Sequence, residues 1–284
     1  MPLNKGAHRQ WELGVITEAQ MRKDATSTEP PFYSYRLVRS ICGEFLGCML
    51  FLFLGMTVAR FSGKRAEDDP ASDQSATNLL ISATFGLSIF VLVYVLAEVS
   101  GAHLNPAVSF GLVVGKRISV ERFFIYLACQ VAGAIAGAGV ATSTFFSSTA
   151  HGVNSIASGV SAGDAFGAEV MCTFVLMVTV LAACDEGLGR KTAHTAPFLP
   201  VAIGAAVFLA HLVLIPIDGC SINPARSMAA AVATGKWDDH WVFWLGPMVG
   251  GALGTVVWEG ALRPDQVVED RDGKSVPLDV TALI

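Results

Sequence analysis

The stretch Ser221-Ile222-Asn223-Pro224-Ala225-Arg226-Ser227 decides the fold, together with a related stretch in the first half of the chain, His103-Leu104-Asn105-Pro106-Ala107-Val108-Ser109. In each stretch an asparagine directly precedes a proline. Asparagine is a favoured N-cap residue, and proline suits the first helical position because its φ is already fixed and its missing N–H is not needed there. The sequence therefore predicts one helix that begins after Asn105 and another that begins after Asn223.

The composition is that of a polytopic membrane protein. Of the 284 residues, 52% are hydrophobic and only 15% are charged, which is too apolar for an ordinary soluble domain of this size. Apolar runs long enough to cross a bilayer core cover about residues 38–59, 77–99, 122–145, 164–184, 198–217 and 241–262. The predicted fold class is an all-α membrane protein.

The two asparagine-capped helices are too short to cross a membrane. Polar chain resumes at Lys116 and at Gly235, so each helix has about ten residues and is about 15 Å long, half the thickness of a bilayer core. Paired interrupted segments at corresponding places in two halves are typical of a substrate path near the middle of the membrane. We therefore expect six transmembrane helices and two half-membrane re-entrant helices.

The remaining segments define the domain organisation. Residues 1–36 are polar and lack the apolar core of a signal peptide, so we expect a cytoplasmic N-terminal tail. A connector over 146–162, rich in serine, glycine and alanine, separates two repeats, 37–145 and 163–262, of one channel domain, 37–262. Residues 263–284 form a charged C-terminal tail, also expected to be cytoplasmic. The six cysteines lack metal-ligand spacing, and no basic surface suggests nucleic acid, so we expect no metal, cofactor or nucleic-acid partner.

The orientation follows from the distribution of positive charge. With both tails in the cytoplasm, most of the 19 lysines and arginines lie on that side, as the positive-inside rule requires. Three spans in each half make the second half inverted relative to the first. The two short helices then enter from opposite faces and meet N-terminus to N-terminus.

Two helix N-termini that meet at the bilayer centre place two partial positive charges there and disfavour cations. A water molecule passing Asn105 and Asn223 would turn its oxygen toward them, which interrupts the hydrogen-bond chain that a proton relay needs. Such a path suits an uncharged permeant. The alternative is that both asparagines serve only as helix caps.

Three charged residues lie within the apolar segments. Arg226 follows Asn223 by three residues, and an arginine at that depth is costly unless it faces water or a partner. Glu44 and Glu169 occupy corresponding positions in the two halves. They could form a proton relay, or they could accept hydrogen bonds from the loops that precede the short helices, and we favour the second interpretation.

The paired Asn-Pro-Ala motifs, Gly101 to Ser109 and Ile222 to Ser227, resemble the double signature of the aquaporin or major intrinsic protein family, over about residues 37–262. The resemblance implies a passive water-selective channel that excludes protons and ions, not an enzyme. It implies a constriction formed by Phe85, His211, Cys220 and Arg226, in which phenylalanine with histidine is typical of water-selective members. It also implies structural support from Glu44, Glu169 and Gln130, with His103 in the pore wall or packed in the loop.

The segments Lys116-Arg117-Ile118-Ser119 and 237–247 are similar to the plasma-membrane intrinsic proteins of plants. That resemblance implies a homotetramer in the lipid bilayer of the plasma membrane, with one pore in each subunit. It also implies gating by a cytoplasmic loop, in which His194 responds to pH and phosphorylation of Ser119 releases the loop. The chain departs from the subfamily because residues 60–76 contain no cysteine.

Two alternatives remain at this stage. One is an inverted-repeat secondary transporter with Glu44 and Glu169 as proton carriers, which predicts saturable, proton-coupled flux. The other is a facilitator of another small neutral solute, such as hydrogen peroxide or glycerol.

Overall fold

The structure is a computed structural model that describes residues 35–69, 73–144, 152–184, 198–263, 267–269 and 275–277. The helices, in chain order, are α1 (Tyr35–Asp68), α2 (Gln74–Ser100), α3 (Pro106–Val114), α4 (Val120–Thr144), α5 (Ala162–Cys184), α6 (Leu199–Asp218), α7 (Pro224–Thr234) and α8 (Val242–Val257). The last helix continues as a π-helical turn, Trp258–Leu262. Two short strands, β1 (Val267–Glu269) and β2 (Ser275–Pro277), pair antiparallel after it and were not predicted.

The predicted all-α membrane fold is confirmed. Within the described ranges, six helices are long and apolar enough to cross a membrane, namely α1, α2, α4, α5, α6 and α8 with its π-helical turn. The short helices α3 and α7 have 9 and 11 residues. The largest difference from the predicted boundaries is at the end of α1, which continues to Asp68 instead of ending near residue 59. An ion pair between Lys64 and Asp68, one turn apart, supports this polar extension.

The two short helices begin as the Asn-Pro pairs predict. Asn105 and Asn223 have extended backbones and are the N-caps of α3 and α7. The Asn105 Oδ1 accepts a hydrogen bond from the Ala107 N–H at 2.8 Å. The Asn223 Oδ1 accepts from the N–H groups of Ala225 and Arg226 at 3.1 and 3.3 Å. Each cap therefore satisfies N–H groups that the first turn of a helix leaves without partners.

Each short helix packs against a long helix of the other half. Helix α3 lies against α8, and α7 lies against α4. The long helices pair within the halves, α1 with α4 and α5 with α8, and α2 packs against α6 across the two halves. Because each short helix packs against a long helix of the other half, neither half alone contains all the contacts that hold its short helix.

Glycines allow the long helices to approach closely. On α4, a Cβ added at Gly133 would overlap the Phe45 carbonyl oxygen, and one added at Gly137 would overlap the Met49 carbonyl oxygen, both on α1. In the second half, a Cβ at Gly250 on α8 would overlap the Val170 carbonyl oxygen on α5. Contacts of this kind between small residues and a neighbouring backbone are a common basis of helix association in membranes.

We expect Gly137→Ala to lower the free energy of unfolding by about 1–3 kcal/mol, because the added methyl group must displace the α1 backbone. Gly139→Ala, two residues away, is the matched control, since an added Cβ there meets nothing within 4 Å. Its higher helix propensity should leave stability unchanged or raise it by up to about 1 kcal/mol. Thermal unfolding of the detergent-solubilised proteins measures both effects. Equal stability of the two variants would contradict the close-approach interpretation.

Candidate functional site

The N-termini of α3 and α7 meet inside the protein through a reciprocal pair of hydrogen bonds. The Asn105 Nδ2 donates to the Ile222 carbonyl oxygen at 2.7 Å, and the Asn223 Nδ2 donates to the Leu104 carbonyl oxygen at 2.8 Å. Both asparagines are buried. Since each Oδ1 caps its own helix, each side chain joins its own helix to the loop of the other half. The partial positive charges of two helix N-termini therefore converge at one point.

The loops that precede the two helices share an uncommon backbone. Both contain a run of residues with positive φ, which is rare for residues other than glycine and costs on the order of 1–3 kcal/mol at each non-glycine position. The φ values are 90° at Gly101, 48° at Ala102 and 51° at Leu104 in the first loop, and 83° at Gly219, 58° at Cys220 and 44° at Ile222 in the second. Such a backbone persists only where the surrounding contacts hold it, and two buried carboxylates supply many of these contacts.

Glu44, on α1, holds the first loop. Its carboxylate oxygens accept from the N–H groups of His103 and Leu104 at 3.0 and 2.8 Å. They also accept from the Ser100 hydroxyl at 2.6 Å and the Gln130 Nε2 at 2.8 Å. A fully buried carboxylate is costly unless donors surround it, and Glu44 has four.

Glu169, on α5, holds the second loop in the corresponding way. Its two oxygens accept from the N–H groups of Ser221 and Ile222 at 2.5 and 2.7 Å. Like Glu44, it is fully buried. Each carboxylate thus takes the two consecutive N–H groups that lie just before the asparagine of its own half.

Gln130 and His103 extend the network around Glu44. The Gln130 Nε2 also donates to the Ser109 hydroxyl at 3.0 Å, and that hydroxyl lies 3.0 Å from the His103 Nδ1. The His103 ring packs edge-on against Tyr126, whose hydroxyl donates to the Ser100 carbonyl oxygen at 2.6 Å. These residues therefore connect α4, the first loop and α3.

The residues expected at the constriction come together beside the second loop. Arg226 lies in the first turn of α7, and its Nη2 donates to the Gly219 carbonyl oxygen at 3.2 Å. Its guanidinium carbon lies 5.3 Å from the centre of the Phe85 ring. Phe85 stacks on His211 with ring centres 4.4 Å apart. Cys220, which is fully buried, directly follows Gly219. The guanidinium and the two aromatic rings therefore lie together, and Cys220 lies in the loop that the guanidinium binds.

Two polar atoms at this constriction have no hydrogen-bond partner among the described residues: the Arg226 Nε and the His211 Nε2. The other ring nitrogen of His211, Nδ1, lies 2.9 Å from the Val207 carbonyl oxygen, so Nδ1 carries a hydrogen, and in the neutral ring Nε2 carries none. The Nε2 is then an acceptor, and the Arg226 Nε is a donor. Buried polar atoms of native proteins rarely lack partners, so this donor and this acceptor are expected to bind a small molecule such as water.

A cavity of about 340 Å³ leads to Arg226 from the end of α1 and the beginning of α2. Its polar wall includes the side chains of Gln74, Thr77 and Asn78. Arg226 therefore lines a cavity that the adjoining ends of α1 and α2 also line.

Sequence reasoning missed two buried residues in the segments that bind Arg226, Asn154 and Asp218. Asn154 lies in the connector that the sequence indicates as a separator of the two repeats, yet its side chain is buried. Its Oδ1 accepts from the Arg226 Nη1 at 2.5 Å and from the Ser227 hydroxyl at 2.8 Å. Asp218 ends α6 and is fully buried. An asparagine among small connector residues is a weak signal, whereas an aspartate at the end of an apolar span could have been noted.

Of the two gating candidates, Ser119 does not join this cluster. Ser119 is exposed before α4, where its Oγ accepts from the Arg122 N–H at 3.2 Å. His194 lies outside the described residues.

Comparison with known proteins gives consistent matches. The family model described as "Major intrinsic protein" matches residues 32–258. The chain is 43% identical over 231 residues to an Atriplex canescens protein named "Aquaporin PIP-type", a match that covers 79% of this chain and 80% of the relative. It is 40% identical to "Aquaporin PIP1-3" of Arabidopsis thaliana, over 92% of this chain and 93% of the relative. Among solved structures, the aquaglyceroporin of Plasmodium falciparum matches with a TM-score of 0.69 at 26% identity, over 80% of this chain and 98% of that chain.

We expect Glu169→Gln and Glu44→Gln each to lower the free energy of unfolding by about 1–3 kcal/mol, because a side-chain NH2 then faces a buried backbone N–H. Glu98→Gln is the control, since Glu98 is exposed at the end of α2. Denaturant or thermal unfolding in detergent measures the difference. Wild-type stability with lost transport in the Glu44 or Glu169 variant would instead favour the proton-carrier alternative.

Proposed function

The chain belongs to the major intrinsic protein family, and from this premise we propose that it is a passive water channel whose selectivity resides at Arg226, His211, Phe85 and Cys220. Its curated relatives are named as aquaporins of the PIP type, which supports water as the permeant. The conclusion depends most on one observation: the Arg226 Nε and the His211 Nε2 are a buried donor and a buried acceptor that other side chains leave free.

Water suits this pair because one molecule can accept from Arg226 and donate to His211 at the same time. A cation meets the charge of Arg226 and must lose its hydration shell between two aromatic rings, which is costly. A bulkier neutral solute must pass the stacked rings of Phe85 and His211. The constriction therefore favours a small, uncharged molecule with both donor and acceptor groups.

Proton exclusion would come from the meeting point of α3 and α7. Each asparagine uses Nδ2 in a bond to the opposite loop, and an amide NH2 has a second hydrogen available for a passing water. Waters whose oxygens turn toward Asn105 and Asn223, and toward two positive helix ends, cannot keep the uniform orientation that a proton relay needs.

The location, assembly and gating of the channel are part of the same proposal. The charge distribution and the PIP-type relatives support a plasma-membrane protein with both termini in the cytoplasm. The subfamily resemblance supports a homotetramer, and it supports Ser119 and His194 as gating residues. The transporter alternative has less support, because the oxygens of Glu44 accept four hydrogen bonds and those of Glu169 bind two loop N–H groups.

Vesicles that contain the full chain should shrink several-fold faster than empty vesicles after an osmotic step, as followed by stopped-flow light scattering. Mercuric chloride should slow the wild type, because a mercury adduct on Cys220 would fill the constriction, and Cys220→Ser should remove most of the block. Cys42→Ser is the control, since Cys42 is exposed on α1 and its loss should leave the block intact. An osmotic rate equal to that of empty vesicles, in correctly inserted protein, would refute the proposal.

His211→Ala should raise glycerol flux several-fold, because it removes one of the two stacked rings and the free Nε2. Leu209→Ala, on the outward face of the same helix, should leave glycerol excluded. Paired stopped-flow measurements with glycerol and with an impermeant osmolyte separate glycerol flux from water flux. Continued glycerol exclusion by His211→Ala would place the size filter elsewhere.

A further inference from the structure

Asp218 carries a buried carboxylate that the water path does not explain. Its side chain is fully buried at the end of α6. One oxygen, Oδ1, accepts from the Cys220 N–H at 2.9 Å, and the other, Oδ2, has no hydrogen-bond partner in the part of the chain that the structure describes. A buried carboxylate with an unsatisfied oxygen is costly unless a nearby positive charge compensates for it.

The nearby positive charge is Arg226. Its Nη2 donates to the carbonyl oxygen of Gly219, the residue that follows Asp218. Its Nη1 donates to the Asn154 Oδ1, and the Asn154 Nδ2 in turn donates to the Asp218 carbonyl oxygen at 3.4 Å. Two separate contacts therefore tie the guanidinium to the segment that carries Asp218, and the carboxylates of Glu169 and Asp218 both interact electrostatically with it.

The first half of the chain provides an internal comparison. Ser100 precedes Gly101 as Asp218 precedes Gly219, and both glycines end their helices with positive φ. The Ser100 Oγ accepts from the Ala102 N–H at 3.1 Å, which is the bond that the Asp218 Oδ1 makes with the Cys220 N–H. A hydroxyl is thus sufficient to hold this turn, and the negative charge of Asp218 is not required for it.

The additional charge occurs in the half that contains the arginine. The position that corresponds to Arg226 in α3 is Val108, which is uncharged. The other buried carboxylate of the second half, Glu169, has its equivalent in Glu44 and therefore belongs to the framework that both halves share. The acidic residue at 218 and the basic residue at 226 are the charges by which the second loop and helix differ from the first.

We propose that Asp218 is the counter-charge of Arg226 and a specificity-determining residue of the channel: it keeps the arginine from attracting anions into the constriction. This inference rests on the proposed water-channel function. An arginine in a narrow pore repels cations, but without compensation it is also an attractive site for chloride or nitrate, as in anion pores. With the Asp218 carboxylate on the loop that the guanidinium binds, Arg226 keeps its free Nε for water while the net charge that an anion meets is smaller.

The test uses full-length protein in vesicles and measures water flux, chloride and nitrate flux, and potassium flux. Asp218→Ser reproduces the arrangement of Ser100, which keeps an acceptor for the Cys220 N–H and removes the charge. We expect chloride and nitrate flux to rise by about tenfold or more, because an uncompensated charge acts strongly across a few ångströms of low dielectric. Potassium flux should stay at the background of empty vesicles.

Two controls separate charge from structure. Asp164→Asn removes an exposed carboxylate at the beginning of α5, and it should leave anion flux at the wild-type level. Adding Arg226→Ala to Asp218→Ser should abolish the anion flux, because the attracting charge is then gone. Asp218→Asn, which has nearly the same shape as aspartate, repeats the test if the serine variant folds poorly.

An unchanged anion flux in a folded Asp218 variant that still conducts water would overturn the proposal. A leak that passes potassium and chloride alike would also overturn it, because this would indicate a loosened constriction. Failure of the water-channel function itself is distinguishable, because the wild type would then conduct no water.

Discussion

The reciprocal hydrogen bonds between Asn105 and the Ile222 carbonyl, and between Asn223 and the Leu104 carbonyl, are the constraint on which the rest of the structure depends. Lipid offers no hydrogen bonds to a non-helical backbone, so two loops can lie at membrane depth only if the protein satisfies their polar groups. The asparagines satisfy two carbonyl groups, and Glu44 and Glu169 satisfy four N–H groups. With these groups paired, the chain can hold two helix N-termini against each other inside the bilayer.

The long helices make this arrangement rigid. Glycines on α4 and α8 let the backbones of α1 and α5 approach closely, and the carboxylates on α1 and α5 are thereby held next to the loops. The helices α2 and α6 contribute Phe85 and His211 to the constriction, and α7 contributes Arg226. In the proposed channel, selectivity therefore resides in a few side chains whose positions are set by helices from both halves.

Much of this organisation could be predicted from the sequence. The spans follow from hydrophobic length, the starts of α3 and α7 follow from the Asn-Pro pairs, and the inversion follows from counting three spans in each half. The grouping of Phe85 and His211 with Arg226 required the family resemblance, since no local pattern connects three distant segments. Asn154 and Asp218 escaped prediction because the bonds that join Asn154 to Arg226 and to the Asp218 carbonyl oxygen form only in the folded loops. The polar end of α1 was not predicted, because the length of an apolar run indicates where the membrane span ends but not where the helix ends.

The exchange of the short helices between the halves has a consequence for biosynthesis. The Leu104 carbonyl finds its partner in Asn223, which lies 119 residues later in the chain. At about 5–20 residues per second, the ribosome needs about 6–24 s to make that stretch. During this interval the first loop lacks its hydrogen bond from Asn223, and α3 lacks α8, the helix against which it packs. The first loop therefore remains incompletely bonded during synthesis, and the packing of α3 is completed only when the last span has been made.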